Sequence, residues 1–362
     1  MRRPPSFGGY ILWSLYIIKN IQVIYTSPNL SVCPVQKLYV EAKGSTMEHI
    51  AQPTGITALR DKLRDTWLHD LVIHYRAIKR RVMRRSEGET FLLRRYARIH
   101  GKSLNLTNPQ TFTEKLFWRM VTWNRGDMPS RFRELADKYA VRGHVASRVG
   151  EEYLVKLLWH GDDPRAIPFD RLPAEYVIKP SHAAGQVIIV RNEVDREDII
   201  RQVSGWLASN YYWHGREAQY YRIPPRILIE ECLTNEDGSP PLDYKFYCFN
   251  GMPDQIIVRN HTHDIHPIFD TTWNLLDLVV SKCTVRSLVP KPDNLKEMLA
   301  LATRLSDEFG FVRVDLYNVK GRVYFGELTF TPAAGILKYT PESWDLKHGQ
   351  KWDLSLDVKA RT

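Results

Sequence analysis

Apolar residues recur every three or four positions from Leu59 to Val82, which predicts an amphipathic helix in this segment. After Gly101 the pattern changes, because stretches with helical periodicity are interspersed with short apolar or alternating runs. Such a mixture is typical of a chain in which helices pack on a sheet. The sequence therefore predicts a helical region at 57–102, followed by a larger α+β domain.

Several elements of the larger domain carry end signals. Thr111 and Glu114 form a capping-box pattern, Asp195 is placed to cap a helix, and Asn250-Gly251 favours a hairpin turn. Helices are expected at 111–123, 132–149, 195–209 and 295–308. Strands are expected at 153–159, 176–180, 187–191, 226–232, 244–249, 254–259, 312–317 and 323–330.

The first 46 residues read differently from the rest. An apolar run at 10–18 follows Arg2 and Arg3 and is interrupted by Lys19, so it is too short and too broken to predict a bilayer span. An uncleaved signal anchor, an interfacial segment and upstream sequence outside the working protein remain as alternatives, with Met47 as an alternative start.

The positive charge of the chain is concentrated in one region. Of a net charge of +10, most arises between residues 60 and 102, a segment that contains thirteen basic and five acidic residues. Either this is a solvated helical face, or it docks on anionic lipid head groups at the inner face of the cell membrane. Nucleic acid is not expected, because the run 76–85 offers no aromatic stacking platform.

The four cysteines show neither a C-x-x-C pair nor zinc-finger spacing. This argues against a disulfide framework or a structural zinc site as the basis of the fold and favours the cytoplasm.

The strongest candidate chemistry lies in a predicted hairpin near residue 320. Asp315 and Glu327 stand mid-strand among apolar residues, and Thr329 shares a strand face with Glu327. If the strands pair, the two carboxylates converge into half of a Mg²⁺ cage that substrate phosphates would complete. The alternative is that Arg313 or Arg322 neutralises each carboxylate in an ordinary salt bridge.

A second candidate is a turn that follows a hydrophobic strand. Lys179 enters the small-residue loop 181–185, where a lysine and backbone N–H groups can hold phosphates, although a surface lysine is the alternative. Of the adjacent Glu230 and Glu231, one must face inward. Asp243 and Lys245 share a face, as either an ion pair or a phosphate-binding couple.

Six short strings, in this order, resemble the TupA-like ATP-grasp family of bacterial proteins linked to teichuronopeptide and other cell-surface polysaccharide synthesis. They are the strings at 137–142, 177–180, 229–231, 243–246, 313–317 and 326–329. The resemblance implies an ATP-grasp fold, with two α+β subdomains that grip ATP. We expect this domain at 105–345, with a tail at 346–362.

The resemblance also implies roles for residues at the matching positions. Lys138 and Lys179 would contact the ATP phosphates beneath the loop 181–186. The other implied binding residues are the loop residues Ser181, His182 and Gly185, then Glu230 or Glu231 for adenosine, and Asp243. Asp315, Glu327 and Thr329 would hold Mg²⁺, and Arg313 and Lys245 would stabilise the transferring phosphoryl group. Both this loop and 331–335 contain fewer glycines than is usual in relatives.

The function implied is that of an ATP- and Mg²⁺-dependent ligase. It would activate a carboxylate as an acyl phosphate and join it to an amine or hydroxyl, with a carboxylate-bearing saccharide or an amino acid as substrate. A glycosyltransferase is one alternative, although no D-x-D element occurs. A non-catalytic nucleotide-binding protein is the other.

Overall fold

The computed structural model describes residues 36–39, 88–191, 194–260, 265–280 and 289–359. The predicted helix at 57–82 and the apolar run at 10–18 lie outside the described residues. None of the described helices combines the length and the apolar character needed to cross a membrane.

The elements follow the predicted α+β pattern. The helices are α1 (Gly88–His100), α2 (Phe112–Asn124), α3 (Arg131–Ala136), α4 (Val141–Arg148), α5 (Arg196–Leu207), α6 (Tyr212–Gly215), α7 (Leu295–Ser306), α8 (Ser343–Lys351) and α9 (Leu354–Lys359). The strands are β1 (Gln36–Tyr39), β2 (Leu157–Gly161), β3 (Glu175–Pro180), β4 (Gln186–Arg191), β5 (Ile227–Glu231), β6 (Asp243–Phe249), β7 (Met252–Arg259), β8 (Ile268–Asp270), β9 (Val279–Val280), β10 (Phe311–Val319), β11 (Arg322–Thr329) and β12 (Tyr339–Thr340).

Two five-stranded sheets organise the domain. The smaller subdomain has the strand order β1-β4-β3-β5-β2, and the larger has the order β11-β10-β6-β7-β8. One face of the larger sheet packs on α7 through an apolar core that includes Phe246, Val314 and Met298. At one end of its other face, Phe311 packs against Phe112 of α2. The remainder of that face carries the charged residues described below.

The predicted end signals are confirmed. The Thr111 hydroxyl accepts from the Glu114 backbone N–H and the Glu114 carboxylate accepts from the Thr111 N–H, which completes the capping box. Asp195 caps α5. Strands β6 and β7 are joined at Asn250 and Gly251, both of which have positive φ. These signals succeed because each depends on a few neighbouring residues.

The single helix predicted at 132–149 is wrong. The structure has α3 and α4 separated by residues 137–140, because Asp137 adopts an extended ψ of 114° and its carboxylate accepts from the Tyr139 N–H at 2.9 Å. An aspartate that bonds to nearby backbone in this way competes with helical hydrogen bonds. As a result Lys138 lies in a turn.

The strand predicted from residue 153 starts later, at Leu157. A 3-10 turn at Glu151–Tyr153 precedes it, after Gly150 with φ +121°.

The ends of the domain are held by a buried arginine. Arg119 of α2 pairs with Asp357 of α9 at 2.8 Å and donates to the carbonyls of Phe311 and Phe330. Arg119 is 0% exposed, so this ion pair fixes α9 and the end of β11 to the core.

Candidate functional site

The two predicted metal carboxylates lie directly opposite each other. In the register of the larger sheet Asp315 pairs with Glu327 on one side and with Lys245 on the other. The three residues therefore form a row across β6, β10 and β11, and the predicted convergence of Asp315 and Glu327 is confirmed. Opposed residues of neighbouring strands stand close enough for their side chains to act on one ligand.

A β-bulge directs Glu327 to this face. Before Gly326 the buried residues are Val323 and Phe325, whereas after it they are Leu328 and, just past the end of β11, Phe330, so the alternation changes phase. A Cβ at Gly326 would lie 3.0 Å from the Asp315 carbonyl oxygen and 3.2 Å from the Tyr317 ring. Glycine allows this close approach, and the bulge places Glu327 beside Asp315.

Arg313 joins the two carboxylates. Its Nε and Nη2 donate to the Asp315 oxygens at 2.6 and 2.7 Å, and Nη2 also reaches Glu327 Oε1 at 3.1 Å and Thr329 Oγ1 at 2.9 Å. Burial alone would lower the pKa of Arg313, but the Asp315 charge outweighs it and raises that pKa. The salt-bridge alternative is thus realised with Arg313, whereas Arg322 donates to the Glu152 carbonyl instead.

Lys245 contacts Asp315 from the neighbouring strand β6. Its Nζ lies 2.7 Å from Asp315 Oδ2 and 3.4 Å from Asp243 Oδ2. Burial acts to lower the pKa of Lys245, but these two carboxylates raise it. The pairing of Asp243 with Lys245 is therefore an ion pair in this structure.

Glu327 is the more open of the two carboxylates. Its side chain is 29% exposed, against 3% for Asp315. Burial would raise its pKa, but Lys138 and then Arg313 hold it at about 2. Glu327 is therefore ionised at any physiological pH.

Lys138 connects this row to the loop of the smaller sheet. Its Nζ lies 3.4 Å from Glu327 Oε2 and donates to the Ala183 carbonyl at 2.8 Å, and its backbone N–H donates to the Ser181 carbonyl. The turn that interrupts the predicted helix places Lys138 where it can bridge the two.

The loop at 181–185 is tightly held at its start. The Ser181 N–H donates to the Arg226 carbonyl at 2.8 Å, and the His182 ring lies 3.1 Å from the Trp206 carbonyl. Burial lowers the pKa of His182, which favours the neutral form of the ring. Gly185 has φ +75°. The Ser181 hydroxyl is 0% exposed and has no hydrogen-bond partner among the described residues.

Lys179 and Glu230 form a separate pair on the smaller sheet. Lys179 Nζ lies 2.6 Å from Glu230 Oε2, and Arg142 lies 3.2 Å from Glu230 Oε1. Glu230 faces inward, as expected of one of the two adjacent glutamates, whereas Glu231 is exposed. Glu231 is thus a predicted site residue that the structure does not bring to the cluster.

Two further residues at the site had been given no role. Arg142 lies in a string that carries the family resemblance, and Tyr317 is two residues after Asp315 on the same strand. The Asp243 charge, then burial and the charges of Glu327, Asp315 and Glu230, raise the pKa of Tyr317. The strand period of two was the signal that could have identified Tyr317.

The donors present fit a Mg²⁺ ion that binds together with phosphates. Among the described residues no group of three or more His, Cys, Asp and Glu side chains could hold a metal. Asp315, Glu327 and the Thr329 hydroxyl nevertheless provide two carboxylates and one neutral oxygen. Mg²⁺ commonly takes one or two carboxylates and completes its shell with water and substrate phosphates.

The decisive comparison is with family sequence models. Residues 114–352 match the model described as TupA-like ATPgrasp. The chain belongs to the TupA-like ATP-grasp family. The fold is accordingly the α+β ATP-grasp fold, with β6, β10 and β11 supplying the charged row of its larger subdomain. No curated protein matches the chain.

Solved structures show weaker likenesses. A D-alanine–D-alanine ligase from Bacillus anthracis is 17% identical with a TM-score of 0.39, and the match covers 63% of this chain and 67% of the ligase. An N5-carboxyaminoimidazole ribonucleotide synthetase in complex with ADP is 12% identical with a TM-score of 0.36, covering 55% of this chain and 45% of the synthetase. The chain thus spans two thirds or less of these proteins, and the family assignment rests on the sequence match.

Proposed function

We propose that this TupA-like ATP-grasp protein is an ATP- and Mg²⁺-dependent ligase that joins a carboxylate to an amine or hydroxyl. The observation that carries the proposal is the placement of Asp315 opposite Glu327, with Arg313 and Lys138 within 3.4 Å of Glu327. Carboxylates and cations around one point suit a metal-loaded triphosphate.

Asp315, Glu327 and Thr329 would hold Mg²⁺ in this proposal. When bound there, the ion neutralises charge on the phosphates. Arg313, which contacts all three side chains, would stabilise the charge of the transferring phosphoryl group. Lys245 would hold Asp315 in position. These groups position the reactants and stabilise charge, which is most of what phosphoryl transfer requires of a protein.

The remaining predicted residues would grip the nucleotide. Lys138 and Lys179 would turn from their present carboxylate partners to the phosphates, and the loop containing Ser181, His182 and Gly185 would cover them. The residues assigned to adenosine and its surroundings are Glu230 or Glu231 and Asp243. Glu230 already accepts from two cations, Arg142 and Lys179, so it would exchange one of these partners for adenosine.

The reaction would have two steps. A donor carboxylate oxygen attacks the γ-phosphorus of ATP, and ADP leaves to give an acyl phosphate. The acceptor nitrogen or oxygen then attacks the carbonyl carbon, the bond to the phosphate oxygen breaks and phosphate leaves. We propose a uronic-acid polymer or lipid-linked saccharide with an amino acid as substrates, in the cytoplasm at the inner face of the membrane, where residues 60–102 would dock.

A non-catalytic nucleotide-binding protein is the second candidate. It is favoured by one observation, namely that Arg313 contacts both Asp315 and Glu327 directly. Binding of ATP with Mg²⁺ but no turnover of any candidate carboxylate would support it.

The test is to incubate the purified chain with ATP, Mg²⁺, uronic acids and amino acids, and to follow the release of ADP and phosphate. We expect Asp315→Asn and Glu327→Gln each to lower the rate by roughly 10²-fold or more, because each removes a carboxylate that would hold the Mg²⁺ ion beside the transferring phosphoryl group. Circular dichroism reports whether the fold is kept.

Glu89→Gln is the matched control for this test. Glu89 pairs with Arg125 on the surface, so the variant removes a glutamate–arginine pair away from the charged row. Its rate should be unchanged. Normal turnover by both site variants would refute the metal assignment.

A further inference from the structure

A second glutamate lies just beyond the charged row. Glu327 and Thr329 alternate along the end of β11, and Thr331 follows two residues after the strand ends. The Thr331 hydroxyl donates to Glu217 Oε1 at 2.6 Å. Gln219 Nε2 donates to the Thr331 hydroxyl, also at 2.6 Å. Glu217, Gln219 and Thr331 thus form a chain of hydrogen bonds.

Glu217 is buried without a direct counter-charge. It is 5% exposed, and no ion pair within 4.0 Å joins it to a cation of the described residues. Other buried carboxylates, such as Asp315, Glu230 and Asp357, each contact at least one arginine. A carboxylate buried in this way is costly unless it takes up a proton or meets a cationic ligand.

The charges around Glu217 come from three parts of the chain. Burial is the main influence and raises the pKa of Glu217 to about 7, with Glu327 adding to the rise. The rise in the pKa of Glu217 is opposed by the Thr331 hydroxyl and by the charges of Arg95 in α1 and Arg313 in β10. Tyr220 is the ionisable neighbour of Glu217 on the same segment of the chain. A carboxyl group with such a pKa can exchange a proton near neutral pH.

We propose that Glu217 is the base that takes a proton from an acceptor amine, and that the acceptor of this protein is therefore an amine. This inference rests on the proposed ligase function and deepens it. As the amine nitrogen attacks the acyl phosphate, the C–N bond forms and phosphate leaves with the electrons of the C–O bond. The proton from nitrogen passes to Glu217.

The hydrogen-bonding groups favour an amine over a hydroxyl. The Thr331 proton is already donated to Glu217, and Gln219 Oε1 has no partner among the described residues. The ionised Glu217 carboxylate and Gln219 Oε1 are therefore two acceptors that a ligand can use, beside the second Nε2 proton of Gln219. A neutral amine carries two donors, one for each of these acceptors, whereas a hydroxyl carries one.

The turn at 331–335 borders this site through Thr331. All three polar residues are at least nine-tenths buried, so an amine reaches Glu217 only if the turn shifts. Ala333 and Ala334 have φ of +52° and +48°, values that are costly for residues with a Cβ. Such strain is typical of segments that serve a site, and it lies on the residues that would have to move.

The test separates formation of the acyl phosphate from its use. Hydroxylamine, which is uncharged near neutral pH, traps acyl phosphates without needing a base. The amino acids used in the test of the proposed function serve as the amine acceptors. In Glu217→Gln we expect hydroxamate formation within about twofold of the unmodified protein. Transfer to amino acids should fall by about 10²-fold or more and recover as the pH is raised.

Asp345→Asn is the matched control, because Asp345 is also buried and accepts from a threonine hydroxyl, that of Thr113 at 2.6 Å. It should leave the ratio of transfer to hydroxamate unchanged. If Glu217→Gln does not fold, Thr331→Val replaces it. Because the Thr331 hydroxyl lowers the pKa of Glu217, its loss should raise the pH at which the rate of amine transfer increases.

Each outcome bears on a different claim. No hydroxamate from the unmodified protein contradicts the proposed ligase function itself. Hydroxamate together with transfer to alcohols but not to amines overturns the inference about the acceptor. Normal amine transfer by Glu217→Gln, or an unchanged pH profile in Thr331→Val, overturns the role of Glu217.

Discussion

Glu327 and Glu217 accept similar hydrogen bonds but have opposite electrostatic settings. Thr329 donates to Glu327 at 2.9 Å, and Thr331, two residues later, donates to Glu217 at 2.6 Å. Lys138 and Arg313 lie beside Glu327 and outweigh its burial, so its pKa falls to about 2. At Glu217 burial prevails, and its pKa rises to about 7.

The difference shows how one strand end can support two kinds of chemistry. A glutamate that stays ionised suits the binding of a cation, whereas one that titrates near neutrality suits proton transfer. Two carboxyl groups whose pKa values are moved apart are a recognised pattern of acid–base sites. Here the direct cations, rather than the hydrogen bonds, make the difference.

The largest expected effect is an opposite change in stability at pH 8. Glu327→Gln should lower the free energy of unfolding by about 2 kcal/mol, because Lys138 and Arg313 lose a charged partner. Glu217→Gln should raise it by about 1 kcal/mol or more, because a buried charge is replaced by a neutral isostere. Urea unfolding measures both, and changes of the same sign would contradict the comparison.

A smaller effect is expected in the pH dependence of stability. The folded pKa of Glu327, about 2, is below its ordinary 4.5, so its contribution is present above pH 4.5 and lost as the pH falls towards 2. For Glu217 the folded pKa, about 7, is above 4.5, so stability is lost as the pH rises from 4.5 through 7. The free energy of unfolding is measured against pH for the unmodified protein and for each glutamine variant, and the difference between the two curves isolates the contribution of that glutamate. A difference that does not change with pH would exclude the assigned pKa shift.

The sequence allowed the charged row to be predicted because it depends on local rules. Strand alternation, the turn between β10 and β11 and the cost of burying carboxylates together bring Asp315 to Glu327. The bulge at Gly326 was not predicted, although it sets the final direction of Glu327. A bulge depends on the partner strand, which local patterns do not describe.

Glu217 and the break at Asp137 were missed for a related reason. Glu217 precedes a short 3-10 turn, Ala218–Tyr220, where no periodic pattern indicates which side chains face inward. Its setting depends on Thr331, which is 114 residues away along the chain. At 137–140 a local side-chain hydrogen bond prevailed over the apolar periodicity that predicted one continuous helix.

The most direct test of the account is whether Asp315 and Glu327 bind a metal together with ATP. Titration calorimetry with ATP should show tighter binding in the presence of Mg²⁺ than in its absence, and Asp315→Asn should remove most of that difference while the protein stays folded. Equal dependence on Mg²⁺ in the variant and the unmodified protein would contradict the account, since the metal would then be held elsewhere.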